Sequence, residues 1–140
     1  MNEKLYYSYS SYNEDIKKIV DTYEFDSVIA LYRGSLPIAT HLSNVTGATM
    51  SIIKYQSYDE KNDKVPVWMH KGMVVSKNIL VVDDIYDTGN TMRLTQKFLK
   101  EYAPGWNIKY LTIFGKDNVD NVEFLRYNSG RWVVFPWETT

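Results

Sequence analysis

Asp83 and Asp84 are adjacent carboxylates, and the same short stretch continues through Asp87 into the hydroxyl-flanked turn Thr88-Gly89-Asn90-Thr91. An acidic pair suits a hydrated Mg²⁺ or the hydroxyls of a sugar. A glycine turn at a helix start offers free backbone N–H groups and the positive end of the helix dipole, which suits a phosphate. A ligand that carries both a phosphate and a polyol, such as a phosphorylated ribose, satisfies both halves. Packing asks for nothing like three Asp between positions 83 and 87, since a buried strand ordinarily ends on a single polar residue.

The flanking residues supply the frame. Ile79-Leu80-Val81-Val82 is a short apolar run of the kind buried on both faces of a sheet, stopping at the acidic pair. After the turn, Met92, Leu94, Thr95, Phe98, Leu99 and Tyr102 recur at helical spacing. Upstream, residues 13–24 carry Ile16, Ile19, Val20 and Tyr23 on one helical face, with Asn13 or Ser11 able to cap it. SVIALY (27–32) reads as a strand that ends at Arg33-Gly34-Ser35 and passes into a helix closed by Gly47. Residues 48–54 and 109–114 are also strand-like, and Pro104-Gly105 is a break. Strands alternating with helices predict a single α/β domain over 1–140 with a parallel sheet and helices on both faces. Ligands gather at the carboxyl ends of such strands. Arg33-Gly34-Ser35, residues 83–91 and Gly115-Lys116-Asp117 therefore converge on one cleft. An Arg beside a Gly at a strand end can offer a guanidinium and bare amides to a polyphosphate.

Composition narrows the class. The chain has 140 residues, 44% hydrophobic and 24% charged, as in an ordinary globular domain. A net charge of −1 gives no footprint for nucleic acid. No apolar stretch approaches a membrane span and the first residues lack a signal-peptide core, so a cytoplasmic protein is expected. The absence of cysteine excludes disulfides and thiolate metal sites, and His41 and His70 make no cluster. Twelve Tyr and four Trp are over-represented; core packing is the commoner use of such rings, with ligand stacking or a subunit interface the alternatives.

Residues 81–91, VVDDIYDTGNT, resemble the phosphoribosyl-pyrophosphate (PRPP) signature of the type I phosphoribosyltransferases: an apolar run, two acidic residues, a spacer, then D-T-G-x-T. The similarity extends in order from Ile29 to Glu138 and is nearest to the bacterial xanthine-guanine and hypoxanthine enzymes. It implies that Asp83, Asp84, Asp87, Thr88, Gly89, Asn90 and Thr91 bind PRPP, with Mg²⁺ held through Asp83 and Asp84. Arg33 and Gly34 would form the pyrophosphate loop, where family members often hold a non-proline cis peptide.

The resemblance also assigns residues 55–77 to a mobile catalytic loop, with Ser57 and Tyr58 matching the Ser-Tyr of 6-oxopurine enzymes. Lys64 falls near a basic pyrophosphate contact, with Lys54 and Lys61 as competitors. TIFGK (112–116) looks like the family's T-I-F-A-K, whose lysine donates to the purine O6, giving that role to Lys116. Trp132 would stack on the base and the backbone of Val133 would read its edge, within a base-binding hood over 116–138. Glu138 stands where the family has Asp. The implied reaction joins PRPP and a 6-oxopurine (hypoxanthine, guanine or xanthine) into a nucleotide and pyrophosphate, with Asp87 as general base. A homodimer or homotetramer is the family habit. Two alternatives stay open: a non-catalytic PRPP or nucleotide sensor on the same fold, and transfer to another base.

Overall fold

The computed structural model describes residues 3–58, 63–73, 77–117 and 120–138, excluding the side chains of residues 57, 58 and 63. Its centre is a six-stranded sheet. The strands are β2 (Ser27–Leu31), β3 (Thr49–Tyr58), β4 (Asp63–His70), β5 (Asn78–Ile85), β6 (Asn107–Gly115) and β7 (Val122–Tyr127). They lie in the order β4-β3-β2-β5-β6-β7, parallel throughout except for the antiparallel β3–β4 pair. A small second sheet pairs β1 (Lys4–Tyr6) with β8 (Trp132–Val134) in parallel. This is the mostly parallel α/β domain that the strand–helix alternation predicts. No described helix is long and apolar enough to cross a membrane.

Every residue of β2 is buried because helices cover both sides of the sheet. The strand pleat sends alternate side chains to opposite faces. Val28, Ala30, Leu80 and Val82 pack with helices α1 (Tyr9–Thr22) and α2 (Leu36–Thr46) through Ile16, Ile19, Ile38 and Leu42. Ile29, Leu31, Ile79 and Val81 pack on the other face against Met92 and Leu99 of α3 (Asn90–Tyr102). Gly47 ends α2 in the left-handed region (φ 78°), where a side chain is disfavoured.

Four features depart from the sequence expectations. Helix α1 starts at Tyr9, not Asn13, because Tyr12 belongs to the same buried stripe as Ile16 and Ile19. Its cap is Ser8, whose hydroxyl accepts from the Ser11 N–H at 3.1 Å, in place of Asn13 or Ser11. Strand β5 runs on through Asp83 and Asp84 to Ile85, since pairing with Thr112 and Phe114 of β6 continues past the apolar run. Of the segment 55–77, assigned to a mobile loop, residues 55–58 and 63–70 lie in the antiparallel strand pair β3–β4. Val65, Val67 and Trp68 are strand formers, and Pro66 is tolerated because β4 is an edge strand. Finally, part of the segment assigned to a hood, β7, joins the main sheet beside β6.

Candidate active site

Strands β2, β5 and β6 are neighbours, and the segments leaving their carboxyl ends meet at one edge of the sheet. After β2 the chain turns sharply. The buried Ser35 hydroxyl accepts from the Leu31 N–H and donates to the Leu31 carbonyl, both at 2.8 Å, which folds the loop back on the strand it left. The Tyr32–Arg33 peptide is cis, as the resemblance implied. Gly34 lies against Asp84: a Cβ at this position would lie 2.3 Å from Asp84 Oδ2 and 2.8 Å from its Cγ. No side chain fits there, so the backbone of 33–35 approaches the carboxylate as closely as glycine allows. Arg33 is exposed beside it.

Asp83 and Asp84 line a cavity of about 320 Å³ whose wall continues through residues 85–89, Thr91 and Met92. The Asp84 N–H donates to Asp83 Oδ1 at 2.9 Å and the Ile85 N–H to Asp84 Oδ1 at 2.8 Å. Burial, and then the negative charge of Asp84, push the Asp83 carboxyl well above the usual carboxylate range. Two acids held together at such cost are suited to a cation or to diol hydroxyls that relieve the repulsion. Among the described residues no group of three or more His, Asp or Glu is placed to hold a metal alone. That donor set fits Mg²⁺, which keeps several waters and shares its remaining positions between one or two carboxylates and substrate oxygens.

The turn after β5 ends on Gly89, whose φ of 84° makes it the left-handed N-cap of α3. Asp87, Thr88, Asn90 and Thr91 are all exposed around it, and the first N–H groups of α3 lack helical acceptors. Behind the turn stands Arg93. Its guanidinium donates to the Thr88 carbonyl and to Asn90 Oδ1, both at 2.9 Å, and to Asp120 Oδ2 at 2.8 Å. The Tyr86 hydroxyl donates to the same Asp120 oxygen at 2.7 Å. Arg93 is not among the residues that the sequence singles out. Its signal was a cation in the first turn, where the helix dipole disfavours it.

At the other end of the edge, Lys116 is exposed directly after β6. The returning chain is tied there by the Asn128 N–H, which donates to the Gly115 carbonyl at 2.8 Å. Tyr7, Phe114 and Phe135 pack edge to face at 5.1–5.9 Å and seat the β1–β8 sheet on the end of β6. Val133 is buried, whereas Trp132 is 65% exposed. In a parallel ladder alternate residues face the neighbouring strand. Trp132 donates to Glu3 O and Val134 O accepts from Tyr7, so the N–H and C=O of Val133 face the open edge. Glu138 is used locally: its Oε1 accepts from the Phe135 N–H at 2.9 Å.

Lys64 is exposed on β4 opposite Ser57. Strand β3 continues from Ile53, its last partner on β2, to Tyr58, so this hairpin overhangs the sheet edge by roughly 16 Å at about 3.3 Å per residue. The side chains of Ser57 and Tyr58, and all of Lys61, lie outside the described residues. The described contacts thus bring Gly34 onto Asp84, and one cavity joins Asp83 and Asp84 to residues 87–89 and Thr91. They place Lys116, Trp132 and Lys64 on elements bordering that cleft without joining them to it.

A glycine loop seated on a carboxylate beside a helix-capping turn, at the carboxyl edge of a mostly parallel sheet, defines a class, and comparison with known proteins agrees. Residues 8–139 match the phosphoribosyl transferase domain, and the chain belongs to the type I phosphoribosyltransferase family. It is 31% identical over 124 residues to a xanthine-guanine phosphoribosyltransferase of Idiomarina loihiensis, covering 82% of this chain and 72% of the relative. It is 30% identical over 107 residues to the transcriptional regulator GfcR of Methanococcus maripaludis, and spans about half (51%) of that protein's length. Among solved structures, the xanthine-guanine-hypoxanthine phosphoribosyltransferase of Helicobacter pylori superposes with a TM-score of 0.82 at 21% identity. The match covers 99% of this chain and 95% of the other, and supports the fold.

Proposed function

We propose that this protein transfers the 5-phosphoribosyl group of PRPP to the N9 of a 6-oxopurine, releasing pyrophosphate. The observation that supports the reading is the close approach of Gly34 to Asp84, a carboxylate that shares one cavity with Asp83 and with Asp87, Thr88, Gly89 and Thr91 of the following turn. The 5′-phosphate rests on the amides and hydroxyls of residues 88–91. Asp83 and Asp84 hold the ribose hydroxyls, and are also the residues that would hold Mg²⁺. A bound magnesium ion supplies neutralisation of pyrophosphate charge. Arg33 and the Gly34 amides orient the departing pyrophosphate and stabilise the charge that builds on it.

Trp132 stacks on the base, Lys116 donates to its O6, and the outward-facing Val133 backbone reads its edge. A lysine at O6 distinguishes a 6-oxo group, which accepts hydrogen bonds, from the 6-amino group of adenine, which donates them. Holding base and ribose together makes the encounter effectively intramolecular. Asp87, exposed at the lip of the cavity, takes the proton that leaves the base. Lys64 and the Ser57-Tyr58 tip of the hairpin close over the reacting centre and exclude water, which would otherwise capture a cation-like ribosyl carbon. The exposed Tyr6, Tyr9 and Tyr127 suit burial in a cytoplasmic homodimer or homotetramer.

The relationship to GfcR supports a second reading, a PRPP or nucleotide sensor that does not turn over. Lys116 and Trp132 favour the enzyme, since a sensor of PRPP alone has no use for them. Pyrophosphate release is measured with PRPP, magnesium and each of hypoxanthine, guanine, xanthine, adenine, uracil and orotate. Turnover with one or more 6-oxopurines supports the enzyme. PRPP binding without release from any base would overturn it in favour of the sensor, and release with another base alone would reassign the acceptor.

A further inference from the structure

Arg93 does not line the cavity, yet it touches the turn that does. We infer that Arg93, anchored by Asp120, is a positioning residue that presets the Thr88–Gly89 peptide so that its N–H faces the 5′-phosphate. The inference rests on the proposed reading of residues 88–91 as the phosphate cradle.

The argument is geometric. In a trans peptide the C=O of one residue and the N–H of the next point in opposite directions. Arg93, which is not among the cavity-lining residues while Thr88 and Gly89 are, holds the Thr88 carbonyl at 2.9 Å. The Gly89 N–H on the same peptide is thereby directed inward. Rotated the other way, the plane would present a carbonyl oxygen to an arriving phosphate and repel it. A second donation from Arg93, to Asn90 Oδ1, fixes the next residue of the turn.

Arg93 is itself held in place. Asp120 lies 27 residues away in sequence and its carboxylate is shared by Arg93 and the Tyr86 hydroxyl. These two donors, Tyr86 first and Arg93 second, hold the Asp120 carboxyl below its usual range. The Gln96 side chain donates to the Asp120 carbonyl, and Asp120 and Asn121 both have left-handed backbones (φ 56° and 58°) that turn the chain toward α3. The pair closes directly over Gly89. A Cβ there would lie 2.3 Å from the Tyr86 hydroxyl and 2.6 Å from the nearest guanidinium nitrogen of Arg93. The guanidinium fork reaches three acceptors at once, a geometry that an ammonium does not reproduce.

The test compares wild type with Arg93→Met, Arg93→Lys and Asp120→Asn by calorimetric titration with ribose 5-phosphate and, separately, pyrophosphate. Arg93→Met weakens ribose 5-phosphate by about tenfold or more and leaves pyrophosphate within about twofold, as loss of charge-assisted hydrogen bonds at one end of the site requires. Arg93→Lys recovers only part of that loss, and Asp120→Asn shows a smaller loss of the same selectivity. Unchanged ribose 5-phosphate affinity in Arg93→Met, or an equal loss for pyrophosphate, overturns the inference. The Gly89 amide resonance of the ligand-free protein gives a second readout, single in wild type and exchange-broadened in Arg93→Met. An identical Gly89 signal in both proteins also overturns it. A wild type that binds no ribose 5-phosphate while Gly89 still responds to Arg93 refutes the phosphate assignment and leaves the loop geometry standing.

Discussion

Gly34 and Asp84 are in van der Waals contact across the cleft, with no room between the glycine backbone and the carboxylate for even one methyl group. This contact makes the loop after β2 and the end of β5 parts of one site. Gly34→Ala must displace either the Asp84 carboxylate or the loop. Turnover is expected to fall by more than about tenfold, while the unfolding free energy changes by about 1–2 kcal/mol at most, since the displaced group borders open space. Steady-state kinetics and a denaturant titration of the same variant check the two halves.

Asp83 carries a pH signature. Its carboxyl is pushed up by burial and by Asp84, so the native state holds the Asp83 proton more tightly than the unfolded chain, whose aspartate titrates near about 4. That stabilisation is fully present below the unfolded value and is lost as pH rises through the raised native value. Ionisation of Asp83 is therefore a burden on the native state, and Asp83→Asn is expected to melt at a higher temperature than wild type once the pH is above the unfolded value. The difference shrinks as the pH falls toward 4. Thermal melts of both proteins across this range test it, and PRPP binding by the variant should be lost even as it gains stability.

Asp87→Ala is expected to keep PRPP affinity within about threefold and lose at least about a hundredfold in turnover, the size of a general-base contribution. Asp87 is exposed, so no change in folding confounds the comparison. Calorimetry and initial rates on one preparation separate binding from chemistry, and undiminished turnover would remove Asp87 from the mechanism.

Trp132 is 65% exposed, so Trp132→Ala should leave stability within about 0.5 kcal/mol. Loss of a stacking platform nonetheless costs about 1–3 kcal/mol of base binding, roughly tenfold or more in the KM for the purine with the KM for PRPP unchanged.

The clamp between α1 and β7 is a matter of stability instead. Asp15, its side chain 8% exposed, accepts from the Tyr7 hydroxyl and takes two hydrogen bonds from Arg126, at 2.6 and 3.1 Å. Asp15→Ala strands the Tyr7 hydroxyl and Arg126. It is expected to cost about 2 kcal/mol, less than a fully buried pair because Arg126 reaches solvent. Denaturant unfolding measures the loss.

Much of the site was legible because its chemistry is local. The acid pair, the Thr88–Gly89 turn and Arg33-Gly34 each sit within a few residues, and parallel strands bring their ends to one edge whatever the detailed packing. What escaped the sequence is non-local. The β1–β8 pairing joins segments from opposite ends of the chain, and the Arg126–Asp15 bond spans 111 residues. The Arg93–Asp120 bond depends on a turn between β6 and β7 that no periodicity announces. Strand β4 was hidden by Pro66 and by the polar residues before it, which mark an edge strand as readily as a loop. Asp83 and Asp84 lie inside β5 because backbone pairing to β6 does not depend on side-chain polarity.

The central claim is that the cavity beside Asp83 and Asp84 receives PRPP. Isothermal titration of PRPP into the protein with magnesium tests it most directly. Saturable heat in wild type, absent from Asp84→Asn, is the predicted result. No heat from a folded wild-type protein would contradict the account.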